Sequence, residues 1–174
     1  MPPDDERSNY RLVRETLLDR LEAAPRVQRV RGEVGGETAA DEYDRLLAGV
    51  LLGLAFQGIG PDGHTASLFP GSPALDETER RAVAVPHSDV ERVTMTLPML
   101  SGARVVSFLV LGEEKAEAVA SSFAGPPDPQ VPASLLRSRE GRTVVLLDRA
   151  AAAKLDDKRP ISIYTGDPGS RPRL

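Results

Sequence analysis

The sequence contains no cysteine. Disulfides, thiolate catalysis and Cys-ligated zinc are therefore excluded, and the absence fits a reducing compartment. Histidine is almost as scarce: His64 and His87 are the only two. Two histidines among scattered carboxylates make a poor first-row metal site, so neither a metal nor another cofactor is expected. No apolar run approaches the roughly 20 residues of a membrane-spanning helix. The opening MPPDDERSNY lacks the basic start and apolar centre of a signal peptide. A formal net charge of −4 provides no basic stripe for nucleic acid. These absences point to a soluble, cytoplasmic chain with no nucleic-acid or membrane partner, and they leave its oligomeric state open.

What remains is ordinary for one globular domain. The 174 residues are 40% hydrophobic and 28% charged, enough for a core and too polar for a membrane protein. Ser8 or Asn9 can cap a helix carrying Leu12, Leu17, Leu18 and Leu21, ended by Ala23-Ala24-Pro25. Residues 26–36 read as a loop. Ala39, Tyr43, Leu46 and Leu47 form a second helical stripe, with Gly49 placed as a C-cap. Leu51 to Gln57 is a short apolar run that reads as a buried strand.

Further strands are expected at Ala82–Val85, closed by Pro86, at Val93–Leu97, at Ala103–Leu111 and at Arg142–Leu147. Glu113–Phe123 reads as a helix with acidic residues at its positive end. Pro132–Leu136 suits one helical turn, and Asp148 can cap a last helix through Ala150–Ala153. No repeats occur. The alternation predicts an α/β fold, Rossmann-like and doubly wound, with a mostly parallel sheet flanked by helices. It fills residues 1–155, and residues 156–174 are expected to be a loose tail.

Parallel sheets bind ligands at the carboxyl ends of their strands. The stretch GIGPDGHTASLFPG, Gly58 to Gly71, follows such an end. Its glycines permit a tight turn and close backbone approach. If Thr65-Ala66-Ser67-Leu68 begins a short helix, its free N–H groups favour negative charge nearby. Asp62 and His64 lie two residues apart, within reach of one small volume. An imidazole, with an ordinary pKa near 6.5, can take a proton from water at neutral pH. Gly58, Gly60 and Gly63 match the spacing of the dinucleotide-binding glycines, but Pro70 stops the long helix that fold needs. Ser67 lacks the elbow of a serine nucleophile. A surface turn with one histidine is the plain alternative.

GIGPDGHTASLFPGSPAL, Gly58 to Leu75, resembles a signature of the glucosamine-6-phosphate isomerase/6-phosphogluconolactonase family. PPDDERSNYRLVRETLL, AADEYDRLL, RVTMTLPMLSGARVVSFLVLGEEKAEAV, the PAS of VPASLL and VVLLDRAAA follow in that family's order. The resemblance covers about residues 2–155. Deaminase-like members tend to continue Asp-Gly-His with Ile-Ala-Phe-Asn-Glu. Here Thr65-Ala66-Ser67-Leu68-Phe69-Pro70 follows, as in lactonase-like members.

The resemblance implies metal-free hydrolysis of 6-phospho-D-glucono-1,5-lactone to 6-phosphogluconate, in the pentose phosphate pathway. It implies His64 as the base for water and Asp62 as the group that orients it. Gly60 and Gly63 would face substrate through the backbone, and Lys115 and Arg92 would serve the phosphate. His87 has no implied role. Unaided by the resemblance, Lys115 reads as a solvated lysine beside Glu113 or Glu117, and Arg92 as a surface residue at a strand start.

The family also begins with a helix, a strand and a Ser-Gly-Gly-Ser-Thr-Pro-like phosphate loop. No such segment occurs in these 174 residues. Met1 stands where the family tends to have Val before Pro-Pro. The expectation is an N-terminally truncated chain, its first strands missing and an apolar sheet edge and face uncovered. Weak phosphate affinity and little turnover follow. The alternatives are an aminosugar-phosphate isomerase/deaminase and a non-catalytic, partner-binding remnant.

Overall fold

A computed structural model describes residues 1–88 and 90–155. The expectation of a loose tail at 156–174 lies outside the described residues. The chain divides into two compact units, Met1–Ala48 with Arg80–Thr94, and Gly49–Glu79 with the chain from Met95 onward.

In the first unit, helix α1 spans Asn9–Thr16, and the Ser8 hydroxyl accepts the Arg11 N–H as its N-cap. The helix stops well before Pro25, and a single 3₁₀ turn, Leu18–Arg20, follows it. Its expected apolar stripe is not a buried one, since Leu12, Leu17 and Leu21 are all exposed. Helix α2, Gly36–Leu46, buries Ala39 and Ala40 completely, and Leu47 closes the same face. Its N-terminus is capped from a distance: the Glu91 carboxylate accepts the Gly36 N–H at 2.9 Å. Gly49 has φ +74° just past the helix, the left-handed position in which glycine is least strained.

Strands β2, Ala82–His87, and β3, Val90–Met95, form a two-stranded sheet. Pro86 was expected to close β2, yet the strand continues through it to His87. In a two-stranded sheet each strand has an unpaired edge, where a residue without an N–H is tolerated.

The second unit holds a three-stranded parallel sheet, in the order β1 (Leu54–Gln57), β4 (Val105–Val110), β5 (Arg142–Leu147). Helix α3, Leu97–Ser101, precedes β4, and the Thr96 side chain caps it. Helix α4, Ala116–Phe123, follows β4 after a 3₁₀ turn at Glu113–Lys115. The α/β class with a mostly parallel sheet and flanking helices is the one observed. Asp148 caps hydrogen-bonded turns rather than a helix.

Register sorts the sheet into two faces. Leu54, Phe56, Val105, Ser107, Leu109, Val144 and Leu146 share one, and Ala55, Val106, Phe108, Val110, Val145 and Leu147 share the other. The second face is sealed. Val106 and Phe108 are fully buried, and the Phe108 ring meets Phe123 of α4 edge-on at 5.2 Å. Arg137 locks the end of α4: its guanidinium donates to the carbonyls of Ser122, Ala133 and Leu136 and lies over the Phe123 ring. Burial lowers the pKa of this arginine.

The first face is open along β1 and at Leu109, although Ser107 at its centre is buried. Leu54 is 56% exposed, Phe56 59% and Leu109 43%. The run Leu51–Gln57 is therefore not the wholly buried strand its composition suggests. Among the described residues β1 is paired on one side only, and Leu51, before the strand begins, is 82% exposed.

Candidate functional site

β1 ends at Gln57, and the chain enters the glycine-rich loop directly. Two backbone bonds fold that loop on itself: the Gly60 N–H donates to the His64 carbonyl and the Gly63 N–H to the Gly60 carbonyl, each at 2.9 Å. The bend brings Asp62 and His64 together. Oδ1 of Asp62 accepts the His64 backbone N–H at 3.2 Å and lies 2.6 Å from the imidazole Nδ1. Partial burial pushes the Asp62 carboxyl upward, but the hydrogen bonds from His64 outweigh it and leave the group below its ordinary range.

With Nδ1 committed to Asp62, the neutral ring carries its proton there and leaves Nε2 bare. The Phe69 ring sits 4.8 Å from the imidazole at 48° and restricts it from another side.

Two glycines are required by contacts rather than by flexibility alone. The imidazole of His64 lies where a Gly60 side chain would begin, and Oδ1 of Asp62 would be 2.6 Å from that atom. Gly63 has φ +81°, and a Cβ there would lie 2.8 Å from Cγ1 of Val131. The Gly63 carbonyl also accepts the Ala133 N–H at 2.9 Å. The loop is thereby tied to the turn at Pro132–Ser134, where the sequence has its Pro-Ala-Ser.

The expected helix start at Thr65 is not formed. Ala66 adopts φ +52°, the Leu68 N–H bonds to the Thr65 carbonyl, and Thr65 and Leu68 form an isolated bridge. A left-handed residue cannot propagate an α-helix, so no helix starts at Thr65 within the loop. Thr65 is instead fully buried, its hydroxyl 2.9 Å from the Gly58 carbonyl and 3.1 Å from Oε1 of Gln57.

The loop borders a cavity of about 540 Å³ whose lining includes Gln57, Gly58, Gly60, His64, Ala66 and Lys115. Lys115 comes from the 3₁₀ turn after β4. That turn starts at Gly112, with φ +97°, whose N–H donates to both Asp148 oxygens at 3.1 and 3.2 Å. Asp148 also accepts the Ala151 N–H at 2.7 Å. Parallel pairing of β1 with β4 puts the two loops at the same end of the sheet.

Of the residues singled out in the sequence, Gly60, His64 and Lys115 thus line one cavity. Asp62 touches His64, and Gly63 shapes the loop behind it. Arg92 is exposed on β3 in the first unit, whereas all of the cavity's lining comes from the second. Sequence reasoning gave no part to Gln57 or Phe69. The one available signal was polarity, since Gln57 is the single polar side chain in the run Leu51–Gln57.

A cavity with a carboxylate-held imidazole and an ammonium group fits a small anionic ligand that reacts with water. Among the described residues no helix is long and apolar enough to cross a membrane. A family model described as glucosamine-6-phosphate isomerases/6-phosphogluconolactonase matches residues 1–145.

The chain is 36% identical over 166 residues to 6-phosphogluconolactonase of Homo sapiens, covering 89% of this chain and 64% of that protein. It is 37% identical over 172 residues to 6-phosphogluconolactonase of Mycobacterium tuberculosis, covering 89% and 69%. Among solved structures, 6-phosphogluconolactonase from Trypanosoma cruzi superposes with a TM-score of 0.76 at 31% identity, over 89% of this chain and 69% of that one. The chain therefore spans about two thirds of the length of the relatives it matches. By sequence and by fold, the chain belongs to the glucosamine-6-phosphate isomerases/6-phosphogluconolactonase family.

Proposed function

We propose that the cavity after β1 hydrolyses 6-phospho-D-glucono-1,5-lactone to 6-phosphogluconate, with His64 as general base. The observation that carries this reading is the 2.6 Å contact between Asp62 and the His64 ring on the wall of a cavity that Lys115 also lines. The names of the relatives support the substrate.

Nε2 of His64 takes a proton from water as the oxygen attacks the lactone carbonyl. The tetrahedral intermediate collapses by breaking the bond from the carbonyl carbon to the ring oxygen. The imidazolium returns its proton to that oxygen, which leaves as a hydroxyl, and the new carboxylic acid ionises. Asp62 keeps Nδ1 protonated before the transfer and stabilises the imidazolium during it. A lactone carbonyl is already reactive, so one positioned base makes a large difference. Lys115 supplies one positive charge for the phosphate.

Acid release from freshly prepared lactone tests the reading. Turnover above the spontaneous rate is expected, weakly saturating because Lys115 is the one cation among the residues lining the cavity. His64→Ala should remove about 10²–10⁴-fold of the acceleration with the fold retained. An unchanged rate would exclude His64 as the base. Ammonia release from glucosamine 6-phosphate in place of acid release would favour the deaminase chemistry of the same family.

A further inference from the structure

The geometry points to Gln57 as a ligand-contacting residue that donates a hydrogen bond from its side-chain amide to an oxygen of the sugar-acid part of the substrate. The inference rests on the lactonase reading of this cavity and adds to it a residue for the sugar portion. Gln57 is the last residue of β1, half-buried, and it lines the cavity together with His64 and Lys115.

One end of its amide is already engaged. Oε1 lies 3.1 Å from the Thr65 hydroxyl, which shares its proton with the Gly58 carbonyl at 2.9 Å. Thr65 is fully buried, so this end is anchored in the loop and the amide plane is held. The other end, Nε2, makes no hydrogen bond among the described residues. A half-buried amide nitrogen with two hydrogens gains most from an acceptor that the protein itself does not supply.

An oxygen-rich sugar acid carries such acceptors, and an ammonium-bound phosphate leaves its hydroxyls free to meet them. The three polar groups then divide the ligand between them: Lys115 takes the phosphate, His64 the reacting carbonyl, and Gln57 an oxygen of the carbon chain. The anchoring by Thr65 makes the donor pre-organised, so little rotamer freedom is lost when a ligand binds.

The test follows the amide itself. Gln28, Gln57, Gln130 and Asn9 are the chain's only side-chain amides, so the Gln57 NH₂ pair is assigned in a ¹H–¹⁵N spectrum by its disappearance in Gln57→Leu. The ¹⁵N-labelled full chain is titrated with 6-phosphogluconate, and the His64 imidazole is read in parallel, with His87 as internal reference.

The Gln57 NH₂ pair should move with the same saturation as His64. Gln57→Leu should weaken binding by about tenfold without changing the His64 signals of the ligand-free protein. Gln57→Glu keeps an acceptor for Thr65 but loses the donor, so it should bind more weakly still. If the His64 signals move while the Gln57 pair stays still, or if Gln57→Leu binds as tightly as the parent chain, Gln57 is not a contact and the lactonase reading stands. If neither residue responds, the assignment of the cavity falls, and the role of Gln57 falls with it.

Discussion

The loop after β1 and the turn after β4 start from the same position in a parallel sheet and solve different problems. Each contains a glycine that no other residue replaces freely, Gly60 in the first and Gly112 in the second, and each is held by an aspartate. In the first loop Asp62 sits inside the bend and binds an imidazole at 2.6 Å. In the second, Asp148 comes from beyond β5 and binds only backbone N–H groups, of Gly112 and Ala151. One carboxylate holds an imidazole, and the other fixes the piece of chain that leads into Lys115. Oriented chemistry needs a side-chain partner for its side chain, whereas a charge on a flexible stem needs only a firm base.

Glycine substitutions should separate the two most strongly. Gly60→Ala puts a carbon where the His64 ring now lies, so the pair with Asp62 cannot survive in place. Lactone turnover should fall by about 10²–10⁴-fold, close to the loss from removing the base itself, while circular dichroism changes little. Gly112→Ala meets only the flexible Glu114 side chain but must hold φ +97°. It should lower stability by about 1–3 kcal/mol, measured by urea unfolding, with turnover per folded molecule preserved. Equal effects on turnover would break the contrast.

Lys115→Ala should act on binding rather than on the chemical step. Loss of a charge-assisted hydrogen bond costs about 1.5–3 kcal/mol, so KM should rise by about 10–100-fold with kcat held. A fall in kcat alone would mean that this lysine meets the reacting centre and not the phosphate. Asp148→Ala removes the acceptor for two backbone donors and should cost about 0.5–2 kcal/mol of stability, with a smaller rise in KM.

The smallest effect concerns pH. Because its folded-state pKa is depressed below the ordinary 3.8, Asp62 stays ionised as the solution is acidified. Its stabilising contact is complete above that ordinary value and is lost as pH falls through the lower folded value. Below pH 4 the His64 ring signals should therefore change in the parent chain, and Asp62→Asn should abolish that limb.

Much of this arrangement was legible in the sequence because it is local. Asp62 and His64 are two residues apart, and a glycine-rich bend after an apolar run leaves them few places to go. Arg142–Leu147 was read with its observed bounds because a β-branched and leucine run has few other uses. The misses have physical reasons. A Thr-Ala-Ser-Leu stretch has adequate helix propensity, but Ala66 has positive φ and the neighbouring Thr65 hydroxyl bonds the Gly58 carbonyl, a loop geometry that no propensity records. The same hydroxyl also meets the Gln57 amide oxygen, at 3.1 Å. Phe69 finds the imidazole only because the chain doubles back. Leu51–Gln57 looked buried because hydrophobicity reports what a side chain prefers, not whether a neighbour is present to cover it.

That last point carries a practical consequence. Leu54, Phe56 and Leu109 are exposed on one face of the sheet, beside a strand edge that is unpaired among the described residues. Such a surface sets a ceiling on how concentrated the protein can be kept before molecules adhere to one another. The dye that fluoresces on apolar surfaces should light up with the fully folded chain, and placing a lysine at Leu109 should raise the solubility limit while leaving the site loop untouched.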